Sequence, residues 1–424
     1  MTVWVNDEGS VLECDKCHDQ NENCCEQPMA CETVGLHVCI SVAGCASSVS
    51  RLNWMRTTFG MPWPSVSRCE FNVCAEAAKA GHLDVLKSAR AQGCPWDAST
   101  CIAAAQHGHL HILRWARRQG CPWGLAHGEF GRRGEFHYVS EDGLWHFELP
   151  ETAAAAAAGG HLNILAWAVK NGCKCMDQTC KAAAAEGHLD VLVWAAAREH
   201  GWAEGERVLE TITFAIFNAR VPILQWLLEQ LGSDLLRKGW RQAESLGFYN
   251  WSTAIRSIEL LQWGRAHAGA DFASAKLCSI AAEHCCLDTL QWLRRQGCPW
   301  DAETAACACS MQACIEHPER ALDLLSWAHE NGCPWDERTC QAAGAHCASL
   351  QLLDYLKRHD CPGADTVCLA ASEQGELETL KWALEVGFPW DPAECEEKAR
   401  HPLETDSSPR HAEVVKWIQE QRRE

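Results

Sequence analysis

Five letters, Gly-Cys-Pro-Trp-Asp, stand at residues 93–97, 297–301 and 332–336, with near copies at 60–64 (GMPWP), 120–124 (GCPWG) and 387–391 (GFPWD). The surroundings repeat with them. Residues 93–119 read GCPWDASTCIAAAQHGHLHILRWARRQ, 172–198 read GCKCMDQTCKAAAAEGHLDVLVWAAAR, and 332–359 read GCPWDERTCQAAGAHCASLQLLDYLKRH. A tryptophan slot recurs at Trp115, Trp167, Trp194, Trp226, Trp263, Trp292, Trp327, Trp382 and Trp417, with Ser88 and Tyr355 in equivalent places. Several of these are 27 or 28 residues apart. Self-similarity at roughly 20–50 residues is the mark of a solenoid that stacks one supersecondary unit. Trp54, in RLNWMRTTFG, takes the slot in a first, worn unit, which gives about twelve units between residues 33 and 424.

Each unit reads as two short helices, so the fold class is all-α. Asp97 precedes ASTCIAAAQH and is placed to cap it. In the last copy Asp391 is followed by Pro392, favoured at the first helical position, and Glu394 completes a capping-box spacing. Gly108 ends the first helix. The second carries Leu110, Ile112, Leu113, Trp115 and Ala116 largely on one side. Gly120 closes it, and Pro122 prevents continuation. Helices this short are marginal alone in water, so stacking must stabilise them. Of 21 tryptophans, nine fill the helix slot and six the Pro-Trp slot. They read as packing at the joints, and Trp115→Ala is expected to cost about 3–5 kcal/mol.

The order helix, Gly-His-Leu turn, helix, Gly-x-Pro-x-Asp loop resembles the ankyrin repeat. AAAQHGHLHIL (103–113), AAEGHLDVL (184–192) and AAKAGHLDVL (77–86) carry the match. The dialect GHLxxLxWAxxxGCPWD is similar to the short ankyrin-type repeats found in algae, amoebae and large DNA viruses. Two departures stand out. The period is near 27, which leaves a tight loop in place of a β-hairpin finger, and residues 201–268 lose GCPWD while keeping VPILQWLLEQ and SIELLQWGRA. The resemblance implies a protein-binding scaffold whose concave face is formed by first helices and loops.

Composition narrows the partners. The net charge of −19 gives the chain no general attraction for phosphate backbones or anionic membranes. No apolar run is long enough to cross a bilayer, and the start MTVWVNDEGSVLECDKC lacks the pattern of a secretory signal. A reducing compartment, cytoplasmic or nuclear, is expected, with the 28 cysteines as free thiols.

Residues 1–32 are read apart from the array. Cys14 and Cys17 form half of a zinc site. Two of His18, Cys24, Cys25 and Cys31 would complete it, against the reading of a thiol-rich leader that binds nothing. C-D-K-C-H also matches a c-type haem attachment pattern, which the expected compartment disfavours. Within the array, one cysteine column contains Cys94, Cys121, Cys173, Cys298, Cys333 and Cys361. The other contains Cys74, Cys101, Cys180, Cys278, Cys340, Cys368 and Cys395. Equivalent cysteines on neighbouring units stand too far apart for disulfides, so small buried thiols are expected. His82, His109, His161 and His188 recur at the helix–helix turn, where a structural hydrogen bond suits them. Cys307, Cys309, Cys314 and His317 form a denser group with a secondary claim to metal.

The insertion GLAHGEFGRRGEFHYVSEDGLWHFELP (124–150) reads as a hairpin-like excursion, with Phe136, Tyr138 and Trp145 suited to anchor an interface. Contact residues are expected where letters vary just after the capping aspartate: Ala98, Ser99, Gln178, Ala302, Glu303, Glu337 and Arg338. No phosphate loop, nucleophile elbow or HExxH is present. The expectation is a non-catalytic scaffold for protein–protein interaction. A substrate-receptor subunit of a ubiquitin ligase and a zinc or thiol-redox protein are the alternatives. The charged end, DPAECEEKARHPLETDSSPRHAEVVKWIQEQRRE, suits a solubilising terminal cap.

Overall fold

The computed structural model describes residues 73–123, 152–173, 177–198, 206–246, 251–272, 274–310, 318–346, 350–405 and 409–422, with short segments at 4–5, 11–12, 49–50, 53, 137–139 and 145–147. The fold is all-α, apart from two strand pairs. Strand β1 (Trp4–Val5) runs antiparallel to β2 (Val11–Leu12), and β3 (His137–Val139) pairs with β4 (Trp145–Phe147). The second pair is the hairpin foreshadowed by EFHYV. The chain divides into two compact units, residues 1–137 with 147–202, and residues 138–146 with 203–424.

Among its described residues the first unit is a stack of four helix pairs: α1 (Val73–Lys79) with α2 (Leu83–Ala91), α3 (Ala98–Gln106) with α4 (Leu110–Arg118), α5 (Thr152–Ala158) with α6 (Leu162–Lys170), and α7 (Asp177–Glu186) with α8 (Leu189–Ala196). The second repeats the plan. It begins with α9 (Glu206–Phe217) and α10 (Val221–Leu231). After a modified unit come α14 (Lys276–Glu283) with α15 (Leu287–Arg295), α16 (Ala302–Ala308) with α17 (Pro318–Glu330), and α18 (Glu337–His346) with α19 (Leu350–Arg358). It closes with α20 (Thr366–Gln374), α21 (Leu377–Val386), α22 (Pro392–Thr405) and α23 (Pro409–Gln421). The modified unit contains α11 (Ser233–Ser245), α12 (Ser252–Arg256) and α13 (Ile258–Trp263), the last running on as a π-helical turn over Gly264–Ala268. Here the extra volume is taken by Trp240 and Trp251, each 1% exposed, with ring centroids 5.7 Å apart. The unit expected around Trp54 lies outside the described residues.

The sequence signals act locally as their chemistry dictates. The Asp97 carboxylate accepts the Ser99 N–H at 2.9 Å and starts α3. Asp336 accepts the Arg338 N–H at 3.1 Å, and Asp391 accepts the Ala393 N–H at 2.8 Å. Asp301 occupies the same position with no such bond from its side chain. At the end of α4 the Cys121 N–H reaches back to the Ala116 carbonyl at 3.1 Å, and the Gly120 N–H to that of Arg117, also at 3.1 Å. That double bond is the Schellman motif, and it puts Gly120 at φ +85°.

First helices pack closely on one another because their facing residues are small. Cys101, Ala104 and Ala105 of α3, and every alanine from Ala153 to Ala157 of α5, are buried. Second helices touch less, and tryptophans fill the interval. Where a loop Trp meets the Trp of the next second helix, the rings lie edge to face in two joints and tilted in two others. Trp96 and Trp115 lie 5.7 Å apart, and Trp300 and Trp327 5.8 Å. These rings are half-buried, so Trp115 belongs to the joint and not to the core. The apolar centre at α4 is Ile112, Leu113 and Ala116, all 0% exposed. The last pair is tied by Glu396, 7% exposed, which accepts from Arg422 at 2.6 Å, Gln419 at 2.8 Å and Arg400 at 2.5 Å.

Successive repeats are registered by histidine. The His109 Nε2–H donates to the Lys79 carbonyl at 3.0 Å, and the His188 Nε2–H to that of Ala158 at 2.9 Å. His161 bonds the Gln106 carbonyl in the same way, and His411 closes the series on Glu373 at 3.0 Å. Each imidazole thus lies over the turn of the repeat before it. Gly108 has φ +84°, and a Cβ there would stand 2.9 Å from the His161 ring. Gly120 has a similar φ with nothing within 4 Å.

Two comparisons check this account. Leu113→Ala is expected to cost about 2–5 kcal/mol in urea unfolding, and Trp115→Ala less, because its ring keeps solvent contact in the native state. The reverse order would show that the joints, not the core, hold the stack. Gly120→Ala is expected to cost only the left-handed backbone strain, about 1–2 kcal/mol, while Gly108→Ala costs more because it also displaces His161. Equal costs would show that the imidazole contact contributes nothing.

Candidate functional site

The two cysteine columns meet inside four of the described repeats. Cys278 on α14 and Cys298 in the following loop have their sulfurs 3.5 Å apart, and both are 0% exposed. Cys74 with Cys94, Cys101 with Cys121, and Cys340 with Cys361 are joined likewise. The bond to Cys94, and then burial, hold the Cys74 thiol well above its usual range, and the same causes act on Cys101 through Cys121. Loop thiols also touch carbonyls, as Cys121 does with Asp97 at 3.1 Å. In each of two pairs the thiols part, the shared bond lowering Cys298 and Cys340 while it raises Cys278 and Cys361, and all four are buried.

Cys14, Cys17, His18, Cys24, Cys25 and Cys31 lie outside the described residues, as do Cys314, His317 and Phe136. Of the denser group, Cys309 is buried, and burial followed by Glu283 and Glu303 pushes Cys307 up to about 12. Among the described residues, no three His, Cys, Asp or Glu side chains gather around a common point. Tyr138 falls on β3 and Trp145 on β4.

The expected contact residues follow the starts of the first helices. Glu337 and Arg338 are exposed, and Ser99, Gln178, Ala302 and Glu303 are half-buried. Ala98 is a correction. It is 0% exposed, because the first residue of α3 points into the stack. Ser99 is also less free than expected, since its hydroxyl and its N–H both bond to Asp97. The second unit brings two predicted residues together across a repeat boundary. Arg338 reaches Glu303 at 3.0 Å and its own capping Asp336 at 2.8 Å. The Arg338 hydrogen bonds hold the Asp336 carboxyl below its usual range. Asp301 also acts on Arg338, and Glu337 is its neighbour in sequence, so this part of the edge is rich in acid.

A second constellation was not anticipated. Arg90, three residues before the loop glycine, donates to the Cys94 carbonyl and lies 4.3 Å over the Trp96 ring. Arg117 repeats this with Cys121 and Trp123 at 4.2 Å, and Arg294 with Cys298 and Trp300 at 4.1 Å. Where histidine takes the slot, His329 stacks on Trp335 with centroids 3.7 Å apart. The signal R-x-Q-G-C-P-W stands three times in the sequence. It becomes a site only once the loop folds back over the helix end.

No family model matches the chain, and no curated protein matches it. Among solved structures 72 chains match. One is the crystal structure of the human ASB11 ankyrin repeat domain, 16% identical, covering 53% of this chain and 84% of that one with a TM-score of 0.25. The repeat fold itself stands on the helix pairs and turns described above. Among the described residues, no helix is long and apolar enough to cross a membrane.

The titratable groups give a two-step pH dependence. Burial lowers His107, His161 and His329 from their ordinary value near 6.5. A depressed folded pKa makes the unfolded chain bind more protons, so stability is complete above about pH 6.5 and is lost as pH falls through the folded values. Glu396, held low by Gln419, Arg422 and Arg400, and Asp336 act in the same sense at lower pH, below their ordinary values near 4.5 and 3.8. The melting temperature is expected to drop between pH 7.5 and 5.5, and His161→Gln to flatten that drop. A flat profile in the parent chain would remove the histidine contribution.

Proposed function

We propose that this chain is a non-catalytic scaffold that binds another protein along the edge formed by its loops and the starts of its first helices, with Tyr138 and Trp145 of the β3–β4 hairpin as a second contact. One observation carries the reading. The residues that vary between repeats occupy this edge, and Glu337 and Arg338 are exposed there, while the invariant letters are consumed by packing. The likeness of GHLxxLxWA to ankyrin repeats points the same way. In the second unit the edge presents Glu303 and Asp336 bonded to Arg338, with Asp301 acting on it and Glu337 next in sequence, so the complementary partner surface is basic.

The edge makes a weak structural contribution, because exposed ion pairs are worth about 0–1 kcal/mol. The variant Glu303→Ala/Arg338→Ala is therefore expected to unfold as the parent does, yet to lose a partner that the full-length parent captures from source-cell lysate. Retention of every captured partner would sink this reading.

A further inference from the structure

The geometry points to a second recognition surface: an Arg–Trp cleft between neighbouring second helices that takes an acidic peptide segment of a partner protein. It shares no residue with the proposed first-helix edge and does not depend on it. In the second unit the cleft lies between α15 and α17, encloses about 510 Å³, and is lined by Gln291, Arg294, Arg295, Trp300, Trp327 and Asn331. No carboxylate lines it.

The donors inside are abundant and few are committed. A guanidinium carries five N–H groups. Arg294 commits one to the Cys298 carbonyl and lies 4.1 Å over the Trp300 ring while lining the cleft. Arg295 is exposed at the last turn and makes no ion pair among the described residues. Asn331 gives one N–H to the Trp327 carbonyl at 2.8 Å. An arginine held against an aromatic ring presents a fixed fork that matches a carboxylate bidentately. The Trp300 and Trp327 rings add half-buried aromatic area, and Trp and Arg are the residues most enriched where binding energy concentrates.

The same arrangement is built independently in the first unit. Arg114, Arg117, Arg118, Trp123, Trp167 and Asn171 stand where Gln291, Arg294, Arg295, Trp300, Trp327 and Asn331 stand. The geometry agrees: Trp123 and Trp167 are 5.8 Å apart, and Asn171 donates to the Trp167 carbonyl at 2.7 Å. Here the charge is stronger, because Arg114 lies 5.8 Å from the Trp167 ring and replaces the glutamine. Along α2, α4 and α6 the bases are Lys87, Arg90, Arg114, Arg117, Arg118 and Lys170, against the single acid Asp84.

Charge complementarity selects the occupant. The chain carries −19, so a long polyanion is repelled by most of its surface. A short run of carboxylates meets positive potential only where these arginines cluster.

The test uses the full-length chain and a fluorescently labelled oligoglutamate peptide, read by anisotropy at low salt. The parent is expected to bind, with an affinity that falls as salt rises. Arg118→Glu/Arg295→Glu, both at exposed positions, is expected to weaken binding by about tenfold or more. Arg118→Lys/Arg295→Lys, which keeps the charge and loses the fork, should fall between the two. Lys398→Glu, exposed on α22, should leave affinity within about twofold. Any of four results would overturn the proposal: no binding by the parent, equal weakening by Lys398→Glu, tighter binding of an oligonucleotide of matched charge, or a signal that tracks self-association of the chain.

Discussion

One bond repeats through the first unit and returns at the last repeat of the chain: an imidazole N–H given to a carbonyl near the end of the preceding first helix. Helices of seven to ten residues have no stability of their own in water. They persist here because each is held in register with the next. The bond needs a turn with no side chain under the ring, which the glycine before each Gly-His-Leu histidine supplies, and it needs the next unit at a fixed height. Once that height is set, the first helices are close enough that alanine and cysteine fill the space between them. The second helices, on the other side of the turn, remain further apart. That asymmetry is why one side is packed with methyl groups and thiols and the other with indoles.

The cysteines follow from the same spacing. A thiol is about the size of the gap between the first helix and the loop that follows it, and two columns converge there, as Cys278 and Cys298 do at 3.5 Å. In the pair the bond to Cys298, and then burial, push the Cys278 thiol up, while that same bond lowers Cys298 against its own burial. The nearest guanidinium, that of Arg294, is turned to the Cys298 carbonyl and to Trp300. A chain with 28 cysteines therefore keeps its core thiols as packing atoms.

Much of this was readable in the letters, and the reasons are specific. Glycine before cysteine gives a Schellman turn because only that turn satisfies the last carbonyls of so short a helix. Aspartate two residues before serine or arginine gives a cap because its carboxylate reaches that residue's backbone N–H, which has no partner inside the helix. What failed to read were the features that depend on which way a helix faces its neighbour. Ala98 varies between repeats as a contact residue would, yet the helix start turns it inward. Trp115 has the mass of a core residue, yet the interval between second helices leaves its ring half in solvent. The twenty-residue spacing from Cys74 to Cys94 was on the page, but only the folded loop shows that it joins two columns. In the stretch that lacks the motif, Trp240 and Trp251 are buried against each other.

Recognition is confined to what packing leaves free, and the two sides leave different things. On the loop edge the free positions lie beside capping aspartates, and a helix N-terminus favours negative charge. Selection for caps therefore biases this edge toward acid before any partner is considered. On the second helices the free positions lie in the last turn, where the helix dipole favours cations and an arginine can also cover the loop tryptophan. Where a capping aspartate and a last-turn arginine are both present, as at Asp97 with Arg117 and Asp301 with Arg294, stability alone thus puts acid at one edge and base at the other. A repeat that gained or lost a unit would keep that polarity. The chemistry of a partner is then constrained by which end of the short helices it approaches, and less by the fold as a whole.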